Sequence, residues 1–119
     1  MLSFRETLQR HLDAIQNRDL DALADTVAEE ALVLIMADGK LTHSTQEFLE
    51  AHRAWFAMDK WTLQADLVEV FESADLGVAV LALDYREPPS VRSESHLTLV
   101  FERFDDQWRM VLDQNTPIK

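Results

Sequence analysis

The stretch Ala14-Ile15-Gln16-Asn17-Arg18-Asp19-Leu20-Asp21-Ala22-Leu23 decides the fold, because it joins two helical patterns through a short polar break. Upstream, Ser3 and Glu6 have capping-box spacing, and Phe4, Leu8, Leu12 and Ile15 recur at helical intervals as far as Asn17 and Arg18. Downstream, Asp19 is placed to cap a shorter second helix with Leu20, Leu23 and Val27 on its apolar side, and its end is expected near Glu30. Leu32-Val33-Leu34-Ile35-Met36 then suits a short buried strand, and Asp38-Gly39 a hairpin turn towards Leu41.

Ser44 and Glu47 repeat the capping-box spacing. Phe48, Leu49, His52, Trp55 and Phe56 form one face of a third helix expected to end near Asp59. From Lys60 the period changes to two. Trp61, Leu63, Ala65 and Leu67 alternate with polar residues, after which Val68 and Val70 are the apolar ones, a slip that predicts a β-bulge near Leu67. Three more strands are expected, over 77–87, 93–104 and 108–115, separated by Glu87-Pro88-Pro89-Ser90 and Asp105-Asp106-Gln107. This order implies an antiparallel sheet with the helices gathered on one face, in one domain spanning residues 1–119.

Composition excludes several classes of function. There is no cysteine, so disulfides, thiolate nucleophiles and cysteine-ligated metals are ruled out. A formal net charge of −11 opposes nucleic acid and anionic membranes, both of which need a basic stripe. The N-terminus turns polar at once, with no apolar signal region and no membrane-length apolar run, so a cytoplasmic location is expected. With two glycines in the chain and no recognisable metal-ligand spacing among its four histidines, neither a nucleotide cofactor nor a metal is expected.

Two strands are apolar on both faces. Val78, Val80 and Ala82 alternate with Ala79, Leu81 and Leu83, and the next strand sets Leu97, Leu99 and Phe101 against Val100 and Phe104. One face can pack on the helices and the other needs a second cover, which points to a homodimer formed sheet to sheet.

The Ala14–Leu23 run, with the closing Trp108-Arg109-Met110-Val111-Leu112-Asp113-Gln114-Asn115-Thr116-Pro117, resembles the signatures of the NTF2-like superfamily. That superfamily includes ketosteroid isomerases, SnoaL-like polyketide cyclases and DUF4440-type proteins. The resemblance implies an α+β cone, three N-terminal helices packed on a strongly bent mixed or antiparallel sheet. It also implies a homodimer through the sheet and a cavity whose chemistry differs from member to member.

By the same resemblance, His11 stands where ketosteroid isomerases place an oxyanion-donating tyrosine. The isomerase general base falls near Ile35 and its protonated aspartate near Val100, and neither residue can transfer a proton. Steroid-type isomerisation by those positions is therefore rejected, with Asp38 left open as a displaced base. Matching the last strand to the family's Trp-x-x-Val-x-Asp pattern turns Val111, Asp113 and Asn115 inward. The histidines that flank this aspartate in DUF4440-type relatives are replaced by Leu112 and Gln114.

The candidate catalytic residues are thus His96, Asp113 and His11, with a His96–Asp113 dyad as the sharpest hypothesis. The expected pocket adds Asn115, Tyr85, Trp55 and Phe56, the aromatics forming its wall. Two readings stand. In the first, the cavity binds a small, largely apolar organic ligand, and any turnover is cofactor-free isomerase-, cyclase- or dehydratase-type proton transfer. In the second, the chain is a non-catalytic dimerisation or association module, as in the calcium/calmodulin-dependent kinase association domain.

Overall fold

The computed structural model describes residues 1–118. Ser3 caps α1 (Phe4–Gln16) through the full capping box. Its hydroxyl oxygen accepts from the Glu6 backbone N–H at 3.1 Å, and Glu6 Oε1 accepts from the Ser3 N–H at 3.0 Å. The helix ends in a left-handed turn. Arg18 takes φ 51°, the Asp19 N–H donates to the Ala14 carbonyl, and the Arg18 N–H donates to the Ile15 carbonyl. A glycine is usual in that conformation. Arg18 is held there by its side chain, whose guanidinium lies 3.9 Å from the Trp61 ring centroid and donates to the carbonyls of Trp61 and Met58.

Asp19 caps α2 (Leu20–Ala24) by accepting from the Ala22 N–H. This helix is shorter than the expected span to Glu30. The Thr26 hydroxyl donates to the Leu23 carbonyl, Met110 N–H donates to the Thr26 carbonyl, and Ala28 N–H donates to the Met110 carbonyl. Residues 26–28 therefore serve as a partner for the last strand, and this tertiary pairing overrides their helical compatibility.

β1 (Val33–Ile35) and β2 (Leu41–His43) form a hairpin whose turn is closed by Gly39 at φ 91°. α3 (Thr45–Phe56) follows, capped by Ser44 accepting from the Glu47 N–H and ending three residues short of Asp59. Then come β3 (Thr62–Glu72), β4 (Leu76–Glu87), β5 (Val91–Phe104) and β6 (Gln107–Pro117). The six strands form one sheet in the order β2-β1-β6-β5-β4-β3. It is mixed, because β1 runs parallel to β6 while every other pair is antiparallel.

The slip near Leu67 is present, with Val68 as the extra residue between the pairs Leu67–Leu81 and Glu69–Val80. A second slip, unmarked in the sequence pattern, makes Val111 the extra residue between Phe101–Met110 and Val100–Leu112. Met110 and Asp113 therefore share the helix-facing side, and Val111 does not occupy the inward position expected for it.

α1 is pinned by Phe4, which is fully buried between Phe101 and Trp108 with ring centroids 5.5 Å from each. Gly77 makes room for that ring, since a Cβ there would lie 2.6 Å from three of its atoms. Gly77→Ala is expected to lose about 1–3 kcal/mol in urea denaturation, because a close-packed aromatic cluster cannot shift freely. Combining it with Phe4→Leu should cost less than the sum of the single changes.

Candidate functional site

Sheet register places the candidate residues. Asp113 lies in a row with Leu34 on β1 and Leu99 on β5, and Asn115 pairs with Leu97. Leu34, Leu97 and Leu99 are buried on the side that carries the helices, so Asp113 and Asn115 face that side too. His96 pairs with Thr116 and Ala82, one residue out of phase, and lies exposed on the opposite face. The His96–Asp113 dyad is therefore ruled out, since partners across a sheet share a face and these two do not. The same phase puts Val100 and Ile35 on the outer face, where Leu99 and Leu34 are their inward neighbours. Those positions still offer no proton-transferring side chain. Asp38 is exposed in the β1–β2 turn, where it accepts the Lys40 N–H.

Between α1, α3 and the sheet lies a cavity of about 450 Å3. Its wall is mostly apolar, including Ile15, Leu34, Leu63, Leu83 and Leu97, and the polar groups that reach it are His52, Trp55, Tyr85, Asp113 and Asn115. Among the described residues, no lysine or arginine lines it. A smaller cleft of about 240 Å3 shares Trp55, Tyr85 and Asn115 and extends this space towards Ser93, Ser95 and Pro117.

Asp113 is buried at the end of this space. Asn115 Nδ2 donates to Asp113 Oδ1 at 2.9 Å and to the Ile35 carbonyl at 3.2 Å, which fixes the amide orientation because both partners are acceptors. Burial between leucines pushes the Asp113 pKa up to about 7, against the smaller lowering effect of the Asn115 amide. Its second oxygen, Oδ2, takes no hydrogen bond from the described residues.

His52 is the residue that sequence reasoning missed. Its Nδ1–H donates to the Phe48 carbonyl at 2.8 Å, which fixes the tautomer and leaves Nε2 as a bare acceptor, and burial lowers its pKa. The signal was present in the helical spacing of Phe48 and His52, whose rings lie 4.0 Å apart. Trp55 Nε1 donates to the Tyr85 hydroxyl at 3.3 Å, and that hydroxyl donates to Glu87 at 3.0 Å. Trp61 stacks behind Trp55 at 4.1 Å. Burial raises the Tyr85 pKa, so it stays a neutral phenol.

His11 and Phe56 do not line the cavity. Phe56, the next residue along α3, points aside from Trp55 and packs on the core. His11 is fully buried, and its Nδ1 meets Thr26 Oγ1 at 2.8 Å. Thr26 has already donated its hydroxyl hydrogen to the Leu23 carbonyl, so His11 must donate from Nδ1. Its Nε2 is then an acceptor without a partner, the one buried side-chain nitrogen or oxygen among the described residues in that state. Burial, with a smaller contribution from His52, lowers its pKa to about 3. A neutral ring with its only N–H engaged cannot act as the expected oxyanion donor.

A family model described as a SnoaL-like domain matches residues 5–114. No curated protein matches the sequence. Among solved structures, a candidate calcium/calmodulin-dependent protein kinase type II association domain from Thiobacillus denitrificans is similar at 20% identity and TM-score 0.84, over 98% of this chain and 96% of that one. A candidate dehydratase of the NTF2-like family from Streptomyces avermitilis is similar at 16% identity and TM-score 0.80, covering 95% and 91%. A candidate ketosteroid isomerase from Shewanella frigidimarina is similar at 17% identity and TM-score 0.79, covering 92% and 91%. At these identities the likeness is one of fold.

Proposed function

This chain belongs to the SnoaL-like domain family of the NTF2-like superfamily, and from that premise we propose that its cavity binds a small, largely apolar organic molecule whose polar end meets Asp113. The observation that carries this reading is a single buried carboxylate, flanked by Leu34 and Leu99, with one oxygen free at the end of an apolar cavity. A stable core does not gain from such a group, because an unpaired buried charge is costly. A binding site does.

The chemistry the site supports is cofactor-free proton transfer of the isomerase, cyclase or dehydratase kind. Asp113 would be the base, with a pKa of about 7 close to the value that favours proton exchange near neutrality. The lining N–H and O–H groups of Asn115, Tyr85, Trp55 and His52 are already engaged with protein acceptors, so a developing oxyanion would find no side-chain donor. This favours binding over fast turnover.

The same reading includes a homodimer through the outer face of the sheet. Phe71, Val78, Val100, Leu112 and Val33 are successive cross-strand neighbours there, an apolar row over five strands that the helices do not cover. Such a row also suits the alternative of a purely associative module, but that alternative has no use for a carboxylate facing an apolar cavity.

The test is a titration with neutral 2-phenylethanol followed by amide resonances. Saturable shifts centred on Leu34, Leu97 and Asn115 are expected. Shifts confined to the outer face, or none, would contradict the cavity as a ligand site.

A further inference from the structure

We infer that the cavity selects ligands whose polar end donates hydrogen bonds, an amine or a hydroxyl on an apolar body, and refuses carboxylates and phosphates. This rests on the reading of the cavity as a ligand site and goes on to the class of molecule it accepts.

Each side-chain N–H or O–H that lines the cavity of about 450 Å3 is engaged, the Ser93 and Ser95 hydroxyls lying outside it in the adjoining cleft. Asn115 uses both amide hydrogens, on Ile35 and Asp113. Trp55 uses its indole N–H on Tyr85, Tyr85 its hydroxyl hydrogen on Glu87, and His52 its Nδ1–H on Phe48. With Asp113 ionised, what remains open is Asp113 Oδ2, His52 Nε2 and the amide oxygen of Asn115, and all three are acceptors. A ligand that donates satisfies them. A ligand that only accepts leaves them unpaired and finds no partner for itself.

Charge points the same way. Among the described residues the lining offers one carboxylate and no cation, so an anionic head group would be desolvated beside a like charge. A net charge of −11 extends that bias to approach from solution. An ammonium group, by contrast, would pair with Asp113 in the vicinity of the Trp55 and Tyr85 rings.

The experiment compares ethylbenzene, 2-phenylethanol, 2-phenylethylamine and phenylacetate, matched in body and different in head group, at pH 8.5, where Asp113 carries its charge. Dissociation constants come from amide chemical-shift titrations. The alcohol and the amine are expected to bind about tenfold or more tightly than ethylbenzene, and phenylacetate more weakly than all three. In Asp113→Asn the amine should lose its advantage, and phenylacetate should be less disfavoured.

Ethylbenzene binding as tightly as the alcohol and amine, or phenylacetate matching them, would overturn the head-group inference and leave the ligand cavity standing. A ranking unchanged in Asp113→Asn would overturn it as well. Failure of all four molecules to bind would overturn the cavity reading itself, and this inference with it.

Discussion

At pH 8.5 the Asp113→Asn protein is expected to be more stable than its parent, by a margin on the order of 4 kcal/mol. The folded protein holds the Asp113 proton up to about pH 7, whereas an ordinary aspartate releases it near 3.8. Between those values the folded state binds more protons than the unfolded state, so the parent loses stability as pH rises through the window, and the loss is complete above it. Asparagine has the same shape and can accept the Asn115 N–H through its amide oxygen, without a charge to desolvate. The gain should fade towards pH 4.

His11 has the opposite sign. Its pKa is lowered from 6.5 to about 3, so the unfolded state takes up the proton first and stability rises with pH across that interval. In the parent the two slopes overlap and oppose each other between about pH 4 and 6.5. Buried His52, whose pKa is also lowered, adds to the rising slope, so the parent should rise less there than Asp113→Asn and decline towards pH 7. Asp113→Asn should show the uncompensated rise from His11 and His52, followed by a plateau. Urea denaturation across pH 4–9 measures both curves. Equal stabilities at pH 8.5 would mean that Asp113 is solvated and does not form the buried end of a cavity.

The second large effect concerns assembly. Val100→Lys is expected to convert a dimer into a folded monomer in sedimentation experiments. Val100 sits at the middle of the apolar row, between Val78 and Leu112, on the face opposite the helices. A two-fold contact includes the change twice, and an ammonium group buried against valines and leucines has no partner, so a loss of about 2 kcal/mol or more of binding energy is expected. In a lone protomer the residue is only half-buried, and a lysine there can reach water, so circular dichroism should be unchanged. A parent that is already monomeric, or a variant that remains dimeric, would move any assembly contact to another surface.

Much of the fold was legible because local chemistry and tertiary structure agree. Ser3 with Glu6, Asp19 and Ser44 mark helix starts that form as read, and the Leu67–Val68 slip is visible where apolar residues change phase. The slip at Val111 leaves no such mark, since Met110, Val111 and Leu112 are all apolar and any register satisfies the pattern. Placing His96 required the β5–β6 register, which no periodicity records. α2 was read too long because Asp25 to Ala28 suit a helix until β6 offers their backbone a partner.

Asp113 and Asn115 could be placed on one strand face by alternation alone. Their meaning could not be read so far. The tautomer of His11, the Trp55 contact of the Tyr85 hydroxyl and the orientation of the Asn115 amide depend on neighbours 15, 30 and 80 residues away in sequence.

The central claim is a ligand cavity that ends at Asp113, and a crystal structure of the protein soaked with 2-phenylethanol at pH 8.5 tests it most directly. The alcohol is expected between α1, α3 and the sheet, its phenyl ring among Leu34, Leu63 and Leu97, and its hydroxyl within hydrogen-bond distance of Asp113 Oδ2 or His52 Nε2. A dry interior closed by the side chains of α3, or an alcohol bound only on the outer face of the sheet, would contradict it.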